Sequence, residues 1–304
     1  MSDKYLIVVL GPTASGKTAL GIELAKYYKT DVISADSRQV YKGLNIGTAQ
    51  PTYQERLIVR HHLVDFVDLD KVYTVADYEK DSLNIINSLF KEVDIVVMVG
   101  GTGLYIRSVC SGLDKIPSIK DDVNNEVDLM YTKYGLAYCV NELKKLDKYC
   151  HDYIDLKNKN RVIRALKVIK STGHPIYTFF NKTVKERDFK KIYIGLNLDK
   201  QVLLDRINIR TDNMISAGLV DEAIRFKKYR YFNSLQTIGY KEVYEELDNG
   251  NGINLTRIAD KIKLKTRQYA KRQMTWFRKN KDIMWFNTVG ENIIESINNM
   301  ICFK

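Results

Sequence analysis

The chain has 304 residues, with 48 Lys plus Arg against 37 Asp plus Glu and a net charge of +11. That length holds one large domain or two smaller ones, and the basic balance favours a polyanionic partner, nucleic acid above all, although a solvated basic surface fits the charge equally well. Its four cysteines form no C-x-x-C pair, which argues against a zinc knuckle and for a reducing cytoplasmic setting; no signal peptide is expected at the N-terminus, and no apolar run is long enough to span a bilayer.

Lys4 to Leu10 (KYLIVVL) is a continuous apolar run, as in a strand covered on both faces of a parallel sheet. A glycine-rich stretch, Gly11 to Thr18, follows, and Thr18 to Tyr28 carries apolar residues at helical spacing. Asp31 to Ala35 predicts a second strand, Thr74 to Phe90 an amphipathic helix, and Val93 to Val99 a third buried strand running into Gly100-Gly101-Thr102-Gly103. Strands alternating with helices predict a doubly wound α/β sheet, which Ile192 to Asn197 rejoins as a further strand. From Asp114 to about Lys190 strand-like runs vanish, and helical patterns with charged faces take over, as in Val140 to Asp147 and Arg161 to Ser171. The expected organisation is a core of residues 1–113 and 190–304, mostly helical after Asp199, interrupted by a helical insertion domain at 114–189. There is no internal repeat.

Gly11-Pro12-Thr13-Ala14-Ser15-Gly16-Lys17-Thr18 matches G-x-x-x-x-G-K-[ST] in full, between a strand and a helix. Glycines let successive backbone N–H groups face phosphate oxygens, and the helix N-terminus adds partial positive charge. Lys17 supplies a full charge, and the Thr18 hydroxyl is the candidate ligand for Mg²⁺. The fold class is therefore P-loop NTPase-like, and ATP or GTP is the default ligand of such a loop. Asp36 follows the second strand, at the sheet edge where ligands of open α/β sheets sit. It suits a general base or an Mg²⁺ contact, and equally an Asx-turn. Arg38 and Gln39 offer donors and acceptors for reading a nucleobase edge. His61, His62, His151 and His174 suggest no metal site.

A string of motifs then runs along the chain in order. It comprises GPTASGKT, DSRQVYKGLNIGTAQP at Asp36 to Pro51, HHLVD at His61 to Asp65, VGGTGLYI at Val99 to Ile106 and NRVIRAL at Asn160 to Leu166. It continues with TGHPI at Thr172 to Ile176, DRINIRTDNMISAGLVDE at Asp205 to Glu222, TIGYKE at Thr237 to Glu242 and TRQYAKRQMTWFR at Thr266 to Arg278. Together these resemble the tRNA dimethylallyltransferase (tRNA isopentenyltransferase) family of bacterial type, for which no eukaryotic zinc-finger extension is expected.

The resemblance implies transfer of a dimethylallyl group from dimethylallyl diphosphate to N6 of the adenosine at position 37 of tRNA, beside an adenosine at position 36. The P-loop would then cradle a leaving diphosphate, with no phosphoryl group moving. Asp36 would take the N6 proton. Lys17, the loop amides and Mg²⁺ on Thr18 would stabilise the growing charge. By resemblance Arg210 reaches the same diphosphate, with Arg206 the weaker candidate, though spacing alone also allows a solvated helix face for both. Thr102 would position the reacting nucleotide, or else cap the helix that starts near Leu104. Asp36, Thr102 and Arg210 are thus the candidate catalytic set. Asp36, Ser37, Arg38, Gln39, Thr102, Asn160, Arg161, Val162, Ile163, Arg164 and Lys241 are the candidate contacts to the anticodon stem-loop.

Arg161 and Arg164 lie one helical turn apart and would meet one phosphate strand, with Lys157, Lys159 and Lys167 thickening the patch. The last long helix carries Lys261, Lys263, Lys265, Arg267, Lys271, Arg272, Arg278 and Lys279, interleaved with Tyr269, Trp276 and Phe277. Trp276 and Phe277 are expected in the core. Gln50, Lys167 and Lys241 stand where the family commonly has Lys, Glu and Arg, departures expected to affect RNA contact or surface charge. A monomeric cytoplasmic enzyme is expected. A small-molecule or nucleotide kinase, an isopentenyltransferase acting on free AMP, ADP or ATP, and a non-catalytic RNA-binding protein are the rival readings. The Asp36 to Gln39 block argues against the first, the basic insertion and C-terminal helix against the second, and intact Lys17, Thr18 and Asp36 against the third.

Overall fold

The computed structural model describes residues 3–180, 185–250, 252–287 and 292–302, except the Cys302 side chain. Two compact units are present: Met1–Ser111 with Glu186–Lys304, and Gly112–Lys185. The first is built on strands β1 (Tyr5–Leu10), β2 (Val32–Ala35), β3 (His61–His62), β4 (Ile95–Gly100), β5 (Lys190–Leu196) and β6 (Ile283–Phe286). They form one six-stranded sheet ordered β3-β2-β4-β1-β5-β6, and every pairing is parallel. The helices are α1 (Lys17–Tyr27), α2 (Tyr53–Ile58), α3 (Val75–Leu89), α4 (Gly103–Ser111), α5 (Asp121–Leu146) and α6 (Lys159–Thr172). They continue with α7 (Lys200–Ser216), α8 (Leu219–Arg225), α9 (Tyr240–Asp248), α10 (Leu255–Phe277) and α11 (Ile293–Cys302). No helix among the described residues is long and apolar enough to cross a membrane.

β1 has neighbours on both sides and helices on both faces, so all six of its residues are buried and none alternates with a polar one. Its side chains divide between two cores. Leu6, Val8 and Leu10 pack with Val96, Met98, Tyr78 and Ile106 on one face. Tyr5, Ile7 and Val9 pack with Leu20, Leu24, Val97, Ile194 and Ile297 on the other. Each fully buried Leu or Ile contributes roughly 1.5–3 kcal/mol, which holds the strand ends that carry the loops described below. A capping box of Thr74 and Asp77 starts α3, where the helical pattern begins in the sequence. A third core beneath the loop after β2 joins Val40, Tyr41 and Leu44 to Leu219, Tyr240, Val243 and Ile258 of α8, α9 and α10.

The strands at Lys4–Leu10, Asp31–Ala35, Val93–Val99 and Ile192–Asn197 are present as β1, β2, β4 and β5, shifted by a residue or two. β3 and β6 are additions; the chain after Asp199 is mostly helical, as expected, with β6 its one strand among the described residues. The four-residue apolar run Ile283–Phe286 lacks a period that separates a strand from buried helix. It becomes a strand by pairing with β5, Tyr193 opposite Ile283 through Leu196 opposite Phe286.

The second unit is helical. The expected segment Val140 to Asp147 is the end of the 26-residue α5, whose helical geometry breaks at Gly135 (φ 76°). α6 begins where Asn158 accepts a hydrogen bond from Arg161 N and ends on left-handed Gly173 (φ 75°). Val162, Ile163, Leu166 and Ile169 of α6 pack with Val123, Val127, Cys139 and Leu143 of α5.

Candidate active site

Three loops meet because of strand register. Leu10 of β1 and Ala35 of β2 both pair with Gly100 of β4. The next residues, Gly11, Asp36 and Gly101, therefore leave one edge of the sheet on three adjacent strands, at a spacing of about 4.8 Å per strand.

The first loop is the phosphate cradle. Gly11 takes φ 146°, and a Cβ there would sit 2.8 Å from Leu196 O, so only glycine passes beneath β5. Ala14 and Gly16 follow with φ 63° and 95°, turning the chain into α1 at Lys17. Lys17 Nζ donates to Pro12 O at 2.7 Å. Two arginines one turn apart on α7 reach the same loop: Arg210 Nη1 donates to Thr13 Oγ1 at 3.1 Å and Arg206 Nη1 to Ser15 O at 3.3 Å. Neither is an idle residue on a solvated face, although Arg206 is the more exposed. Burial, and then the charge of Arg210, push the Lys17 ammonium down to about 7, while Asp36 opposes the shift. Burial lowers Arg210 as well. Two cations held this close in a half-buried place are relieved by a polyanion.

The second loop carries Asp36. Its Oδ1 accepts from Arg38 N at 2.8 Å and Gln39 N at 3.4 Å. The carboxylate thus shapes an Asx-turn with one oxygen, and Oδ2 stands outside those two bonds. Ser37 N donates to Thr102 Oγ1 at 3.0 Å, and Thr102 N donates to Ala35 O at 3.0 Å. The Thr102 hydroxyl accordingly ties the third loop to the second, where capping α4 was the alternative. Burial raises the phenol of Tyr269 on α10 to about 12, with the charge of Asp36 adding to the shift.

Two expected base readers are engaged inside the protein. Gln39 Oε1 accepts from Ser34 Oγ at 3.1 Å, and its Nε2 donates to Ala49 O at 2.8 Å and Thr48 O at 3.3 Å. Its amide braces the loop, which corrects the expectation that it faces a base edge. Arg38 donates to the backbone carbonyl of Asn233. Gln50 is buried and donates to Gln39 O at 3.0 Å and Tyr41 O at 2.9 Å, so this departure from the family pattern concerns loop scaffolding, not RNA contact.

Sequence reasoning missed Glu222 and Gln273. The buried Glu222 carboxylate accepts from Asn45 N at 3.0 Å, Ile46 N at 3.0 Å, Gly47 N at 3.0 Å and Tyr240 OH at 2.6 Å. An acidic residue closing a helical motif gave no sign that it would anchor a loop 175 residues earlier. Gln273 lies amid basic and aromatic residues that read as an RNA-facing helix, yet it is buried between the first and third loops. Trp276 is 37% exposed and lies against Gly103, which corrects its assignment to the core; Phe277 is 3% exposed and does belong there.

The second unit presents Asn160, Arg161 and Arg164 outward. Val162 and Ile163 are packed into its core, so their side chains are anchors of α6, a correction to their inclusion among the RNA contacts. Lys167 does not thicken the basic patch, because it pairs with Asp128 at 2.7 Å and donates to Asn124 at 2.7 Å. A groove of 520 Å³ beside it is lined by Lys159, Asn160, Arg164 and Tyr131. On α10, Lys263 pairs with Asp212 at 2.6 Å and Arg267 donates to Asn208 at 2.8 Å, while Lys265, Lys271 and Arg272, and Arg278 and Lys279 just beyond its end, are exposed. Lys241 is also exposed.

Residues 39–280 match the family model described as IPP transferase. The chain is 41% identical over 286 residues to a tRNA dimethylallyltransferase of Cytophaga hutchinsonii, covering 94% of this chain and 93% of that one. Among solved structures it is similar to the full-length tRNA isopentenylpyrophosphate transferase from Bacillus halodurans, with 37% identity, a TM-score of 0.70 and coverage of 99% of this chain and 95% of that one. It is also similar to a eukaryotic dimethylallyltransferase acting on tRNA, with 25% identity, a TM-score of 0.83 and coverage of 99% and 80%.

Proposed function

The chain belongs to the IPP transferase family, and on that footing we propose that it transfers a dimethylallyl group from dimethylallyl diphosphate to N6 of the adenosine at position 37 in tRNAs with adenosine at position 36, releasing diphosphate. The observation that carries this reading is the meeting of two cations at the phosphate loop, Lys17 of α1 and Arg210 of α7, with one carboxylate, Asp36, whose loop leaves the same sheet edge. A diphosphate leaving group needs the first two, and an amine whose lone pair is delocalised into a purine needs the third.

Breaking the allylic C–O bond puts charge on the diphosphate. Lys17, Arg210 and the amides of the Gly11–Thr18 loop stabilise it where it grows. On the opposite side, Asp36 accepts the N6 proton as the C–N bond forms. Oδ1 keeps the turn in shape while Oδ2 faces the amine. Thr102 and Ser37 hold the third loop against the second, fixing the nucleotide. The adenine enters unstacked, at a cost of a few kcal/mol that is smaller in a loop than in a duplex. Arg161, Arg164 and Asn160 contact the anticodon stem-loop, as does Lys241.

The Thr18 hydroxyl and the Asp36 carboxylate are hard oxygen donors of the kind Mg²⁺ takes, and no cluster of three or more His, Cys, Asp or Glu suited to a metal occurs among the described residues. The donor chemistry fits Mg²⁺, which Thr18 would hold. When bound it supplies charge neutralisation to the leaving group. The enzyme acts as a monomer in the cytoplasm, where tRNA is.

Purified protein, Mg²⁺ and labelled dimethylallyl diphosphate, offered tRNA or AMP as acceptor, test the reading. Label is expected in tRNA without ATP. A strict ATP requirement, or transfer to AMP and not to tRNA, overturns it.

A further inference from the structure

Gln273 joins the two halves of the site with one side chain. It lies on α10, four residues after Tyr269, and is 6% exposed. Its Oε1 accepts from Thr13 N at 2.8 Å, and its Nε2 donates to Gly101 O at 2.9 Å. Thr13 belongs to the phosphate cradle and receives Arg210 on its hydroxyl. Gly101 precedes Thr102, which is tied to the Asp36 turn through Ser37 N. The task requires an acceptor and a donor at the two tips of one planar fork, which an amide provides and an ionised carboxylate does not. The fit is close: a Cβ added at Gly101 would stand 2.2 Å from Gln273 Nε2. Backbone conformation does not demand glycine at this position; the approach of Gln273 does.

We infer that Gln273 is a positioning residue that sets the separation between the diphosphate cradle and the nucleobase-side loop, so that the leaving oxygen and the N6 amine address the transferred carbon together. The inference rests on the reaction proposed above. Gln273 touches neither substrate. It acts through Thr13 and Gly101, so its loss is felt in turnover more than in the binding of either partner.

Gln273→Met keeps the volume and removes both hydrogen bonds. Turnover is expected to fall about 10²-fold, the scale of a misplacement near 1 Å, with the tRNA dissociation constant within about twofold of wild type. Gln273→Glu adds a readout that a purely structural role does not move. When ionised, its second oxygen faces the Gly101 carbonyl; when protonated, it donates to that carbonyl again. The turnover ratio of Gln273→Glu to wild type should therefore rise as pH falls from 8 to 6, while the ratio for Gln273→Met stays flat. Gly101→Ala should impair turnover in the wild-type background and much less in Gln273→Ala, where the obstruction is gone. Near-normal turnover of Gln273→Met, a flat ratio for Gln273→Glu, or additive effects of Gly101→Ala and Gln273→Ala overturn the inference. Failure of wild type to label tRNA instead overturns the reaction on which it rests.

Discussion

Removing the carboxylate of Glu222 tests whether one buried side chain holds the loop that follows the Asp36 turn. It is 5% exposed and accepts from three backbone N–H groups, those of Asn45, Ile46 and Gly47, and from the Tyr240 hydroxyl. In Glu222→Ala these four donors lose their acceptor where water enters poorly. At about 1–3 kcal/mol for each stranded donor, offset in part as the loop relaxes toward solvent, the expected loss is about 4 kcal/mol. That corresponds to a fall in melting temperature of roughly 10 °C. Glu222→Gln keeps one acceptor oxygen and should lose about half as much. The loop from Leu44 to Gln50 is fastened to the Asp36 turn through Gln39 and Gln50, so its loosening should raise the KM for tRNA. Diphosphate affinity should stay near wild type, because none of these bonds reaches the Gly11–Thr18 cradle. Calorimetric melting, tRNA kinetics and diphosphate binding on the same preparations check this. A loss below about 1 kcal/mol, or diphosphate affinity falling as far as tRNA affinity, would refute the reasoning.

Asp36→Asn should lower turnover by roughly 10²–10⁴-fold, the scale of a lost general base, with tRNA binding much less affected; near-normal turnover would reduce Asp36 to a turn-former. Lys17 is pushed from its ordinary 10.5 to about 7 in the free site, so between those values the unfolded chain binds more protons than the folded one and stability rises with pH. In metal-free buffer, wild type should gain stability relative to Lys17→Met between pH 7 and 10, and a constant difference would mean that Lys17 is not held in a charge-disfavouring place. Replacing both Arg161 and Arg164 with Ala should flatten the slope of log affinity against log salt by roughly 0.7 per lost phosphate contact, with cognate and scrambled anticodon loops weakened alike. An unchanged slope with lost discrimination would instead make one of them a base reader.

The fold was legible where one physical signal dominated. Tyr5–Leu10 and Ile95–Gly100 are apolar without alternation because helices cover both faces, and glycine-rich loops mark their ends. β6 was not legible, since Ile283–Phe286 is a strand only because β5 offers a parallel partner, and no local pattern encodes that partner. Val140 to Asp147 predicted the end of α5 but not its length, because Gly135 turns the apolar face partway along and breaks the helical period.

The site divides along the same line. Phosphate binding needs a contiguous backbone shape, so Gly11 to Thr18 declares it in eight adjacent residues. Everything that fixes the loops relative to one another is non-local and chemically ordinary. Thr102 looks like a helix cap until Ser37 N is found on its hydroxyl. Gln39 looks like a base reader until its amide is found on Ala49 and Ser34. Polar residues that recognise RNA and polar residues that satisfy buried backbone groups share the same side chains, and only burial separates them. Charge misleads for the same reason. Lys167 and Lys263 belong to runs that suggest an RNA surface, yet each is neutralised by an aspartate of a neighbouring helix. The count of 48 Lys plus Arg therefore overstates the free cationic surface, whereas Arg161 and Arg164 face outward with no ion pair among the described residues.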